Sequence, residues 1–153
     1  MKQAWIVIIA LAALATGCGE SLPQIPGLGG RASDEEQIAT VLNDVQRGME
    51  ARKIYKVLAH VSRNYLDEEG RDYEAIREYL SGIVKAYREI RITRTSPKIL
   101  VQGDRARAIE SFGTVAEPAD QDETPAINLQ GQVAVYLERV DGAWQIVEWG
   151  PIH

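Results

Sequence analysis

Residues 129–151 read LQGQVAVYLERVDGAWQIVEWGP, and this stretch decides the fold. Val133, Val135 and Leu137 alternate with Gln132, Ala134 and Tyr136, the period of a strand with one buried face. Asp141-Gly142 then interrupts the pattern. This dipeptide is a strong signal for a two-residue hairpin, because both central positions of that turn take positive φ. Ala143 to Pro151 returns, with Trp144 and Ile146 predicted on one face and Val147 and Trp149 on the other. A single hairpin is marginal in water, so the pair needs further strands or a helical layer to cover it.

Both lie upstream. Arg105 to Ala116 alternates again, with Ala106, Ala108 and Phe112 on one side and Arg105 and Arg107 on the other. Gly103-Asp104 turns this strand back onto Ile99–Val101. Pro97 cannot donate to a ladder and marks a bulge or an edge. Ile90 and Ile92 alternate with Glu89, Arg91 and Thr93, and Glu117 to Pro125 reads as an acidic loop. Before Arg88 the period is helical. Ser33-Asp34-Glu35-Glu36 is a capping box, and its acids suit the positive end of a helix dipole. Ile38, Val41, Leu42, Val45 and Met49 follow as one apolar stripe. Arg52-Lys53 breaks the stripe, and Ile54, Val57, Leu58 and Val61 form a short second helix. Tyr65-Leu66-Asp67 reads as a brief extended piece and Glu68-Glu69-Gly70 as a turn. Asp72 caps a third helix whose stripe is Tyr73, Ile76, Leu80, Ile83, Val84 and Tyr87. Gly82 inside it costs about 1 kcal/mol against Ala, which predicts a close backbone contact there.

The chain starts differently. Met1-Lys2 precedes an uncharged run from Ala4 to Ala15, too short to span a bilayer and matching the apolar region of a secretory signal. It ends in Leu14-Ala15-Thr16-Gly17-Cys18, with the sole cysteine. This resembles the lipobox of bacterial lipoproteins, with Leu14 one place earlier than usual. The resemblance implies cleavage before Cys18 and acylation of Cys18 by chains such as palmitate. Several acyl chains give stable membrane attachment. Gly19, in place of Asp, resembles the signal for onward export to an outer membrane facing the periplasm, where the source has two membranes. Residues 18–32 hold Pro23, Pro26, Gly27, Gly29 and Gly30 and read as a flexible tether. The expected divisions are therefore a signal peptide over 1–17, a lipidated cysteine and tether over 18–32, and one domain over 33–153.

Three helices followed by antiparallel strands give an α+β fold, predicted as three N-terminal helices packed on a curved sheet of four to six strands. With its short second helix and the closing Asp141–Ile146 hairpin, the stretch from Ser33 to Ile152 resembles the nuclear transport factor 2-like superfamily. That superfamily has the cystatin-like cone also seen in ketosteroid isomerase, scytalone dehydratase and polyketide cyclases. The resemblance implies a cone with one open end.

Three acids stand out as candidates for that cone. Asp67 falls in the segment where isomerase-like members of the superfamily carry a base, although Leu66-Asp67-Glu68-Glu69-Gly70 also reads as a solvated turn. Glu110 shares the alternation of Ala106, Ala108 and Phe112, so it points inward as a base or pairs with an arginine such as Arg94. Glu148 shares the face of Trp144 and Ile146 unless a bulge turns it out. A carboxylate in an apolar cone has a raised pKa and can act as a base near neutrality. Tyr65, Tyr79, Tyr87, Phe112 and Trp144 complete the candidate pocket. The first helix offers no tyrosine to act as the hydroxyl donor of the isomerase.

Composition narrows the classes. Formal net charge is −5 from 17 basic and 22 acidic residues, and cleavage before Cys18 removes Lys2 but no acid. An acidic mixed surface argues against nucleic acid. One cysteine and two histidines, His60 and His153, exclude a paired-Cys or His-cluster metal site, and no cofactor is implied. The expected function is that of a membrane-tethered lipoprotein, non-catalytic, holding a small apolar ligand in the cone or docking a protein partner. A weak homodimer through the outer sheet face, with Arg105, Arg107, Tyr136 and Val147, is expected at most. The alternative is an isomerase, dehydratase or cyclase using a pocket carboxylate.

Overall fold

The computed structural model describes residues 32–153. The lipobox, the signal peptide and the tether up to residue 31 lie outside the described residues. Helix α1 spans Asp34–Glu50, α2 Ile54–Leu58 and α3 Tyr73–Ala86. Five strands follow: β1 Tyr87–Arg94, β2 Lys98–Gln102, β3 Arg105–Pro118, β4 Ile127–Val140 and β5 Ala143–Trp149. The sheet is antiparallel, as predicted.

The helix starts are those written in the sequence. The Ser33 hydroxyl accepts from the Glu36 amide at 3.2 Å, and the Glu36 carboxylate accepts from the Ser33 amide at 2.8 Å. Asp72 caps α3 by accepting from the Ala75 amide at 2.9 Å. After α1 the chain reverses through Arg52, which takes a left-handed φ of 57° and donates from Nε to the Val84 carbonyl. Gly48 lets the short α2 lie close against α1, since a Cβ there would stand 2.8 Å from Val57 Cγ2. Gly82 is different. A Cβ would meet nothing within 4 Å, so the predicted close backbone contact is absent.

Strand order is β1-β3-β4-β5, with β2 also on β3. The strands do not run as a simple meander. β1 and β2 share one edge of β3: Tyr87–Arg94 pairs with its C-terminal half and Lys98–Gln102 with its N-terminal half. Pro97 lies in the break between them, which is why it needs no ladder bond. The free edge of β1 is covered by α1. Gln46 Nε2 donates to the Ile92 carbonyl at 2.7 Å, and the Ile92 amide donates to Glu50 Oε1 at 2.9 Å. An edge capped in this way is closed to further strand pairing. Asp141 and Gly142 both have positive φ, 50° and 81°, as the hairpin requires.

The main core joins Ile38, Val41 and Leu42 of α1 to Ile76 of α3 and to Ala106, Ala108, Val135, Leu137, Trp144 and Ile146 of the sheet. A second cluster gathers Val84, Tyr87, Ile90 and Ala116 at the start of β1. One departure matters for function. Tyr136 pairs with Glu148 but Leu137 pairs with Ile146, so Val147 is an extra residue on β5. This bulge inverts the alternation after Ile146. Trp149, predicted to face outward, packs on the main core, and Glu148 leaves the inner face.

Candidate functional site

α1, α3 and the concave side of β1, β3 and β4 enclose a cavity of about 560 Å³. That is the size range of small-molecule sites. Leu42, Val45, Ile76, Leu80, Ile92, Phe112, Val133 and Trp149 supply its apolar walls. Pro151 and Ile152 close one side. The last residues reach this position because the His153 amide and carbonyl pair with Gln132. Gly131 leaves room for them, since a Cβ would stand 2.6 Å from Ile152 Cγ2.

Two charged groups meet in this wall. Glu110 on β3 and Arg94 at the end of β1 pair at 2.8 Å, with side chains 7% and 9% exposed. Arg94 Nε donates to Glu110 Oε2 at 2.9 Å, and its Nη1 donates to the Leu42 carbonyl at 2.6 Å and to Gln46 Oε1 at 3.4 Å. The guanidinium is thus committed to α1 and to one carboxylate oxygen. Burial raises the Glu110 carboxyl above the usual range, and the Arg94 charge offsets this only in part.

The Asp67 carboxylate is bound within its own loop. It is buried and takes four donors: the Tyr65 hydroxyl at 2.9 Å, Arg71 Nε at 2.7 Å, and the amides of Glu69 at 3.1 Å and Arg71 at 2.9 Å. Burial pushes its pKa up, but these bonds and the Arg71 charge outweigh it and hold the carboxyl below its ordinary value. The loop is therefore a built ion-pair knot, not the solvated turn that its composition suggests. Tyr65 is buried, donates to Asp67, accepts from the Trp149 amide at 3.3 Å and stacks at a tilt on Trp149, 5.7 Å between centroids. Burial, the largest influence, raises its hydroxyl pKa. Neither Tyr65 nor Asp67 lines the cavity, whereas Glu69 and Arg71 of the same loop do.

The remaining candidates divide. Glu110, Phe112 and Tyr79 line the cavity, the last half-exposed with the Arg71 guanidinium 4.8 Å over its ring. Tyr87 lies in the second cluster and donates to the Pro125 carbonyl at 3.2 Å. Trp144 is core, with its Nε1 donating to Asp34 at 3.3 Å. Glu148 is turned out by the bulge and does not line the cavity. Partial burial, with Glu68 and Asp67 nearby, raises its carboxyl. His60 sits outside, 3.3 Å from Asp44. Among the described residues no cluster of His, Cys, Asp and Glu is placed to hold a metal ion. The sequence pattern did not reveal Gln46, Thr114, Pro151 and Ile152 as lining residues. A glycine in mid-strand at Gly131 was the available hint that backbone approaches there.

No protein-family model matches the chain, and no curated protein does. Solved structures do. A nuclear transport factor 2-like superfamily protein from Salmonella enterica is 16% identical, with 76% of this chain and 87% of that one covered and a TM-score of 0.64. A protein of unknown function with a cystatin-like fold from Nostoc punctiforme is 13% identical, with 80% and 91% covered and a TM-score of 0.62. A hexachlorocyclohexane dehydrochlorinase is 14% identical, with 76% and 83% covered and a TM-score of 0.64. At these identities the likeness is one of fold, and the fold of this chain is the α+β, nuclear transport factor 2-like cone.

Proposed function

We propose that the protein is a non-catalytic binding lipoprotein, tethered to the extracytoplasmic face of a membrane through acylated Cys18, that holds a small, mainly apolar molecule in its cone. The observation that carries the reading is the cavity of about 560 Å³, apolar-walled, in which the Arg94 guanidinium is taken up by Glu110 and by α1. The tether rests on Leu14–Cys18 of the sequence, and in a two-membrane host it places the domain in the periplasm at the outer membrane. Asp67 supports a binding role, because a carboxylate holding four donors has no lone pair to spare for a substrate proton. A homodimer through the outer sheet face would be weak, since Arg105 and Arg107 make that face polar.

A specific observation favours one other reading. Glu110 lines the cavity and has a raised pKa, as a proton-abstracting base would. The fold also serves enzymes, the hexachlorocyclohexane dehydrochlorinase among them. Methyl NMR with added octanol tests the binding reading. Shifts are expected at Ile76, Leu80, Ile92 and Val133 and not at Leu100, Val115 and Leu129, which are exposed. Shifts confined to that second set would overturn it.

A further inference from the structure

From the open oxygen of Glu110, we infer that the ligand carries a neutral hydrogen-bond donor, such as a hydroxyl, which that oxygen receives. The inference rests on the cavity-binding reading above and deepens it. Both guanidinium contacts of Arg94 fall on Glu110 Oε2. No donor among the described residues meets Oε1. Every fully buried side-chain nitrogen or oxygen among the described residues has a partner, so Oε1 is not sealed in the protein, and the cavity that Glu110 lines is where a ligand would meet it. An ionised carboxylate oxygen only accepts, so its natural complement is a donor.

The cations of the wall are already committed. Arg94 serves the Leu42 carbonyl, Gln46 and Glu110, while Arg71 serves Asp67 and Glu69. An anionic head would meet an unpaired carboxylate oxygen and find no comparably uncommitted cation in the wall. A cationic head would add a second positive charge beside Arg94, in a wall where Glu110 already balances it. Burying an unbalanced charge is costly, so a neutral donor fits best. Phe112 follows Glu110 by two residues on the same face of β3, about 7 Å along the strand, and offers its ring to an apolar body.

The test is calorimetric titration of the full-length protein with three probes of similar length: octanol, methyl hexyl ketone and octanoate. Octanol should bind about tenfold more tightly than the ketone, which only accepts, and octanoate should bind least. The Glu110→Gln variant, with its amide group toward the cavity, should lose the preference for octanol over the ketone. Equal affinities of octanol and ketone for the wild type would overturn this inference while leaving the cavity reading in place. Binding of none of the three would overturn both. The wild-type comparison stands even if the variant fails to fold.

Discussion

Replacing Asp67 with Asn tests the claim that this acid is structural. In the native loop each carboxylate oxygen serves two donors, Tyr65 Oη and Arg71 Nε on Oδ2, and the Glu69 and Arg71 amides on Oδ1. Asn keeps one acceptor oxygen. Its amide group would turn two hydrogens toward two donors that cannot accept them. The Asp67 side chain is 1% exposed and that of Arg71 26%, so little water is available to take over. A hydrogen bond to a charged group contributes about 1.5–3 kcal/mol, and breaking a buried pair costs about 3–5 kcal/mol. With half the bonds retained, a loss of about 3 kcal/mol is expected at pH 7. At a urea slope of about 1.5 kcal/mol per molar this lowers the midpoint by about 2 M. The pH dependence has a definite sign. The folded-state pKa of Asp67 is depressed, so its contribution is present above the ordinary carboxylate value, about 3.9, and is lost as pH falls through the folded value. The gap between wild type and variant should therefore narrow below about pH 4. A variant as stable as the wild type at pH 7, or more stable, would show that the four bonds do not hold the loop and return Asp67 to the list of strained pocket acids.

Gly82→Ala should stabilise the protein by up to about 1 kcal/mol, since the added methyl meets open space in a helix. Gly48→Ala, also within a helix, should destabilise it, because its Cβ meets Val57 at 2.8 Å; thermal unfolding that gave both changes the same sign would contradict the packing described. Glu110 has a raised folded pKa, so its stability contribution is greatest at low pH and declines as pH rises from about 4.3 through the folded value. In urea unfolding, Glu110→Gln should therefore gain relative to wild type across that rise, and a parallel pair of profiles would count against a desolvated carboxyl. Cys18→Ser should move the protein from the membrane to the soluble fraction, and retention of the variant in the membrane would sink the acyl anchor.

Much of the fold was legible because its determinants are local. The capping box at Ser33, the cap at Asp72, the Asp141-Gly142 turn and the period-two runs of β3 and β4 each need only neighbouring residues. The errors fall where distant contacts decide. Val147 bulges beside a segment from another part of the chain: the Leu66 amide bonds its carbonyl, and the Tyr65 hydroxyl takes the Trp149 amide. Nothing in Ala143–Trp149 alone announces that, so Glu148 and Trp149 exchanged faces. Asp67 looked solvated because its neighbours are acidic, but the residue that pairs with it is Arg71, beyond the turn. Glu110 was legible as inward-facing from its strand phase, and Arg94 as its partner. That one oxygen remains open depends on the angle at which Arg94 approaches, which no spacing encodes.

A crystal structure of the protein with bromo-octanol tests most directly whether the cone holds a small amphipathic molecule. The anomalous bromine peak is expected among Ile76, Leu80, Phe112, Val133 and Trp149, with the hydroxyl on Glu110 Oε1. A bromine peak only on the outer sheet near Leu100, Val115 or Leu129, with the cone unoccupied at saturating ligand, would contradict it.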